Sequence, residues 1–418
     1  MKSEKSSRIL SLIILTYPLL DIIYTINTRV INVNVPINQG VRFLIMIYLF
    51  IQIKNRKSFA IISLLFFLLV GGELAHLYGG YQMLGGNIAY VTKILFIVIV
   101  IYGVEDMLKS GKIDSYQLIN SMVISSVIIS FSIILSKFGL GYDSWEGGRS
   151  GVKGLFMVQN TITATLLVIL PLCLIMFERT NKIRYLLNYS LIFVSLIMIG
   201  TKSGLAGALL ISALQISVWF FKTKLNYLKL ALGSMFIVLI IVLSLMSMDI
   251  FLGFINEQKG MYNTYNYNNI YSFLVSNRDL QIIYLEDYIA NFRDFNPSLL
   301  FGLGYSFANE IINNGKSNFQ AIEMDFYGIY YYSGIWVLIL VCIIIIKRYL
   351  SLIVLVFKSK FNFMYFSIFL SISIGLFHAF YGGHVLYEAL ASLYFAVVLS
   401  VSRVEGLANR KSKIPTKE

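Results

Sequence analysis

Long apolar runs, each closed by charged or polar residues, recur along the chain at 9–27, 38–53, 58–78, 87–104, 116–138, 159–177, 184–200, 204–221, 228–249, 323–346, 361–379 and 384–402. About 20 helical residues cross a hydrocarbon core of ~30 Å, so these runs predict twelve transmembrane helices. Span 38–53 is the shortest and carries Arg42. The run 349–357, bounded by Lys347-Arg348 and by Lys358 and Lys360, is too short to cross and is expected to be an interfacial or helix-end segment. The basic start MKSEKSSR leads into an apolar stretch interrupted by Pro18 and Asp21, with no small-residue cleavage site after it. This predicts a retained first helix.

Composition strengthens this reading. Of 418 residues, 57% are hydrophobic and 13% charged, against the ~45–50% and ~25% of soluble domains. Mean hydropathy is +0.75. A soluble enzyme is therefore excluded, and so is a Pro-rich disordered chain, because there are only 5 prolines. Two cysteines exclude a disulfide scaffold and a Cys-rich metal protein. The fold class expected is an all-α polytopic membrane protein.

The net charge of +13 does not indicate nucleic acid, because the cations gather in short loops between apolar runs. With the N-terminus inside, 23 of the 34 Lys and Arg residues fall in inner segments. The positive-inside rule then places both termini in the cytoplasm. The expected organisation is spans one to nine over 1–249, an extracytoplasmic loop over 250–322, spans ten to twelve over 323–402, and a cytoplasmic tail over 403–418.

The other cations lie against this bias. Arg42 and Lys93 fall within apolar runs near their outer ends, as do Glu73 and His76. Ionisable groups inside a membrane point to function by default. Together they would line an outward-facing polar cavity; the other reading is a set of separate snorkelling side chains and structural ion pairs.

Two outer loops have the composition of anion sites. Trp145–Gly154 holds four glycines with Arg149 and Lys153, so the backbone can approach a ligand while guanidinium and ammonium supply charge. Gly200-Thr201-Lys202-Ser203-Gly204 is a tight turn with one cation. Ordinary inter-helix turns also carry such glycines, and neither loop is a Walker motif. In the long loop, Ser276-Asn277-Arg278-Asp279 adds another cation. A Tyr/Asn patch at 261–271, including Tyr265 and Tyr267, and Tyr305 in Phe301-Gly302-Leu303-Gly304-Tyr305 offer ring faces and amides suited to sugars. A Tyr-rich interfacial belt would have the same composition.

Glu323 and Asp325 stand where the chain re-enters the membrane. A carboxylate among apolar neighbours can act as a base, or it can serve a helix start. Two residues apart, they point in different directions on a helix, which argues against a shared dyad. His378 and His384 flank Gly382-Gly383 without metal-ligand spacing, so no metal is expected. Cys173 and Cys342 lie within spans and read as packing residues.

These motifs, in this order and on this topology, resemble the O-antigen and capsular polysaccharide polymerases (Wzy-like) of the O-antigen polymerase and ligase superfamily. The local matches are Gly148-Arg149-Ser150-Gly151 with Gln159-Asn160, Gly200-Thr201-Lys202-Ser203, Ser276-Asn277-Arg278-Asp279, Phe301–Tyr305, Glu323-Met324-Asp325-Phe326 and Gly383-His384-Val385-Leu386. The resemblance implies a C-type glycosyltransferase-like fold in the bacterial cytoplasmic membrane. It implies joining of undecaprenyl-pyrophosphate-linked oligosaccharide repeat units on the outer face, with a flippase and a chain-length regulator as potential partners and no cofactor.

On that resemblance, Arg149 and Arg278, with Lys202 and Lys153, would hold the pyrophosphate. Glu323 leads and Asp325 follows as candidate base. Tyr265, Tyr267 and Tyr305 would contact sugar, and Arg42, Glu73, Lys93 and His384 would line the cavity. Ligases of the superfamily carry His-Asn near the entrance to span ten, where this chain has Glu323-Met324-Asp325, a departure that favours a polymerase. The alternatives are a ligase-like transferase, or a flippase or transporter of the same lipid, although no internal repeat is visible.

Overall fold

The computed structural model describes residues 2–33, 37–78, 84–144, 151–222, 256, 272, 275–291, 298–314 and 321–411. Among them, eight helices are long and apolar enough to cross a membrane, and three shorter apolar helices accompany them. The first half holds α1 (Lys2–Arg29), α2 (Ile37–Gln52), α3 (Arg56–Tyr78), α4 (Leu84–Lys109), α5 (Ser115–Leu135), α6 (Gln159–Thr180), α7 (Arg184–Ile199) and α8 (Lys202–Lys222). The polar segment after them carries α9 (Asp279–Ala290), α10 (Ser298–Phe301) and α11 (Tyr305–Asn314). Helices α12 (Asp325–Lys358), α13 (Phe363–Tyr381) and α14 (Ala389–Lys411) complete the chain. The expected span 228–249 lies outside the described residues.

Helix α6 is the axis of the bundle. It is buried on every face from Asn160 to Phe177, as a helix that is apolar all round should be. Buried polar side chains tie its neighbours to it. The amide of Gln215 on α8 donates to the Pro171 carbonyl at 2.7 Å and to Ser367 Oγ on α13 at 2.8 Å. Helices α4 and α14 run parallel, with Ser400 Oγ donating to the Ile101 carbonyl. Tyr394 on α14 reaches the Ile14 carbonyl of α1 at 2.8 Å. Helices α1 and α3 stay at the rim and turn large apolar side chains such as Leu12 and Phe67 outward.

A two-stranded antiparallel ribbon, β1 (Tyr142–Asp143) with β2 (Val152–Gly154), is the exception to the all-α expectation. It docks on the α7–α8 turn: Ser144 Oγ donates to the Ile199 carbonyl at 2.8 Å.

At one end of the bundle the basic residues are paired. Arg348 Nε meets Glu105 Oε1 at 2.5 Å with both side chains buried. Lys109 and Arg403 approach the other Glu105 oxygen at 3.1 and 3.7 Å. Of the two readings of 349–357, interfacial piece or helix end, the structure shows the helix end. Helix α12 runs through Lys347-Arg348 to Lys358, because Glu105 neutralises the arginine that would otherwise end the span.

Helix α12 is instead broken near its start. Gly334 has φ 84° and ψ 174°, and a Cβ there would collide with the Leu300 carbonyl. The break removes the helical partners of the Tyr331 and Tyr332 carbonyls. They accept from the N–H groups of Leu303 and Gly304 at 2.6 and 3.1 Å instead, so the backbone stays satisfied. The 24 residues 335–358 remain helical beyond the break, long enough to cross a bilayer. The short arm Asp325–Ser333 is free to build a site.

Candidate functional site

At the bundle end opposite the Glu105 cluster, four segments converge on Glu323. The first is the turn before α9. Ser276 and Asn277 both adopt left-handed φ, 55° and 61°, a strained pair that presents Arg278. Arg278 Nε donates to Glu323 Oε2 at 2.6 Å. The second is the strand-like entry to α12. It is held by Gln281, whose amide donates to the Ala321 carbonyl at 2.9 Å and whose Oε1 accepts from the Glu323 N–H at 3.1 Å.

The third segment is the turn between α13 and α14. A Cβ at Gly383 would collide with the Glu323 carbonyl. His384 follows with φ 65°, and its Nε2 lies 4.0 Å from Glu323 Oε2. Asp325 secures this turn. Its two oxygens accept the backbone N–H groups of His384, Val385 and Leu386, each at 2.7 Å, and it is fully buried. Tyr387 donates to the Ile322 carbonyl at 2.7 Å. The fourth segment is the start of α8. Ser203 Oγ lies 3.2 Å from His378 Nε2, and His378 Nδ1 lies 2.9 Å from the Gly383 carbonyl. Lys202 is therefore one residue from a chain of contacts that ends at Gly383, the residue before His384.

The side chains of Glu323, His384 and Arg278 retain 28%, 16% and 11% exposure, so a ligand can reach them. Burial would raise the Glu323 carboxyl, but the charges of Arg278 and His384 outweigh it and hold it below its ordinary value. Burial lowers His384 below its ordinary value against the pull of Glu323 and Glu388. Glu388 bonds Lys93 Nζ at 2.8 Å. Against its burial, the charges of Lys93 and His384 hold its carboxyl well below the carboxylate range.

Beside this cluster stands a stack of tyrosines. Tyr305 stacks on Tyr90 at 5.4 Å and meets Tyr332 edge-on at 5.0 Å; Tyr90 contacts Tyr387 at 5.7 Å. Tyr332 accepts the Ile322 N–H at 2.6 Å and donates to Asn309 at 2.8 Å.

The expected site residues thus divide. The structure brings together Arg278, Glu323, Asp325, Lys93 and His384, with Lys202 and Tyr305 adjoining. Arg42 lies farther along α2, buried beneath the ring of Phe96 at 5.9 Å. Glu73 takes another position. It accepts from Asn87 at 2.7 Å, and Asn87 in turn accepts the Ser306 N–H at 2.8 Å, so it braces α11 rather than joining Lys93. Lys153 is buried in β2. Arg149, Tyr265 and Tyr267 lie outside the described residues. Among the described residues, no group of three or more His, Cys, Asp and Glu is placed to hold a metal.

Sequence reasoning missed Glu388 and Gln281. Glu388 had a legible signal, a carboxylate inside the expected last span 384–402, the kind of intramembrane charge that singled out Lys93. Gln281 had none, since its partners lie about 40 residues away.

A family model described as "O-antigen ligase like membrane protein" matches residues 3–268 and 256–405. Comparison with curated proteins found no match.

Proposed function

The chain belongs to the O-antigen ligase-like membrane protein family, a family of membrane polysaccharide-related transferases, and from that premise we propose that it polymerises oligosaccharide repeat units carried on undecaprenyl pyrophosphate. In this reading the Glu323 end faces the outside of the bacterial cytoplasmic membrane and the Glu105 end, with its basic loops, faces the cytoplasm. Twelve spans then leave both termini inside.

The observation that carries the proposal is the Arg278–Glu323 contact with His384 beside it. A pyrophosphate leaving group is already activated, so three things are needed: cations for the departing charge, a base for one sugar hydroxyl, and exclusion of water. Arg278 supplies the first, together with Lys202 and with Arg149 and Lys153, the other cations of the proposed set. As a phosphate draws the guanidinium away, Glu323 loses the charge that holds its carboxyl low. Its burial then makes it a stronger base, so substrate binding itself switches the base on.

The acceptor hydroxyl oxygen attacks the anomeric carbon as the bond to the pyrophosphate oxygen breaks. The pyrophosphate leaves on its lipid, and the hydroxyl proton passes to Glu323, with His384 placed to receive it next. Displacement from the opposite face inverts the anomeric centre and requires no metal. Asp325 serves by fixing the 384–386 turn. The tyrosine stack around Tyr305 provides a sugar-facing wall that keeps water out.

The family match equally favours a ligase, which would move the glycan once onto a different acceptor. Incubation of purified protein with lipid-linked repeat units separates the two. A ladder of products supports polymerisation, a single transfer that depends on an added second acceptor supports ligation, and no product with either overturns both.

A further inference from the structure

A second charged site lies away from Glu323, at the side of the bundle. Helices α2 and α4 enclose a cavity of about 160 Å³ lined by Gln39, Arg42, Phe43, Met46 and Ile88. Arg42 is 5% exposed, and its Nε and Nη1 find no hydrogen-bond partner among the described residues. Asp21, which accepts from Asn38 at 2.5 Å, and Glu388, which bonds Lys93, act on the guanidinium through space but give these two nitrogens no hydrogen bond. A buried guanidinium with unmet N–H groups is costly, and an anion entering the cavity would remove that cost through charge-assisted hydrogen bonds. Gln39 adds an amide.

The shape of the site identifies the occupant. A cavity of about 160 Å³ holds several waters and so has room for a phosphate group. Its rim is apolar and faces outward: Phe43 is 57% and Ile88 56% exposed, on a surface where such side chains meet the bilayer. A free anion gains nothing from that rim, whereas a lipid lays its chain along it. We propose that this cavity binds the phosphate head of a lipid, with Arg42 as the anchor and Phe43, Met46 and Ile88 as the groove for the chain. This site needs no transfer chemistry and stands whichever reaction the Glu323 end performs.

The test is native mass spectrometry of the purified full-length protein in detergent. It is titrated with phosphatidylglycerol, with diacylglycerol as the phosphate-free analogue, and with inorganic pyrophosphate as the chain-free one. Wild type is compared with Arg42→Gln and Ile88→Trp, each first checked for a monodisperse elution profile. Wild type should retain one more phosphatidylglycerol than either variant, with affinity about tenfold higher. Diacylglycerol should not fill that site, and pyrophosphate should displace the lipid only weakly. Ile88→Trp fills the groove while leaving the guanidinium in place, so it decides the matter even if Arg42→Gln does not fold. Equal phosphatidylglycerol retention in wild type and Ile88→Trp, equal retention of diacylglycerol, or pyrophosphate binding as tightly as the lipid would each overturn the proposal.

Discussion

Gly383 is pressed against the backbone carbonyl of Glu323, so close that no side chain fits between them, and its φ of 70° is one that L side chains rarely adopt. Two segments about 60 residues apart are thereby held in register. Gly111 offers the comparison, with φ 66° and open space around it. Gly111→Ala should cost about 1 kcal/mol, from backbone strain alone. Gly383→Ala adds a collision with backbone and should cost several-fold more, lowering the thermal midpoint far further and abolishing activity. Similar midpoints for the two variants would show that the contact is not binding.

Asp325 and Glu323 should separate on substitution. Asn at 325 keeps one acceptor oxygen and brings an NH2 against backbone donors, so Asp325→Asn should destabilise by about 2–3 kcal/mol. Glu323→Gln should keep most of the stability and lose most of the activity. Thermal midpoints and turnover, measured on both variants, check the separation.

Arg278→Ala removes the partner of Glu323 and a phosphate ligand together. Turnover should fall by at least ~100-fold, the scale of losing a transition-state charge donor. Part of the stability loss should return in the double variant Arg278→Ala/Glu323→Gln, because no carboxylate is left without its counter-charge, while activity stays lost. Recovery of activity in the double variant would refute a phosphate role for Arg278.

Stability should depend on pH through His384. Its folded pKa lies below the ordinary 6.5, so the unfolded chain binds the extra proton first. The contribution is full above pH 6.5 and is lost as pH falls below it, at a limiting slope of about 1.4 kcal/mol per pH unit. His384→Asn tolerates the left-handed φ and does not titrate, so its melting profile should be flatter than wild type between pH 6.5 and 5. Parallel profiles would show that His384 is not held neutral.

Orientation is open to a labelling test. Asn291 at the end of α9 and Lys57 at the start of α3 are both exposed, and the two native cysteines are not fully exposed. Asn291→Cys should react with an impermeant thiol reagent in whole cells, and Lys57→Cys only after lysis. The reverse pattern would place the Glu323 end in the cytosol.

The sequence made the spans legible because apolar length is a local property. It left the course of α12 open because two facts about it are non-local. Glu105 permits Arg348 inside the bundle, and the 298–304 segment stabilises the break at Gly334. Glu323, Arg278 and Lys93 stood out as charges where the membrane disfavours them. What they do was less legible: Asp325, flagged as a base, holds three amides, and Glu73, flagged with Lys93, braces α11. Such pairings span tens to hundreds of residues, and spacing along the chain carries no trace of them.

The central claim is that Glu323, freed from Arg278 by a bound diphosphate, takes the acceptor proton. Its most direct measurement is product formation from lipid-linked repeat units by wild type and Glu323→Gln, with substrate binding measured in parallel. The account predicts a ladder from wild type, none from the variant, and equal binding by both. A ladder of normal length from Glu323→Gln would contradict it.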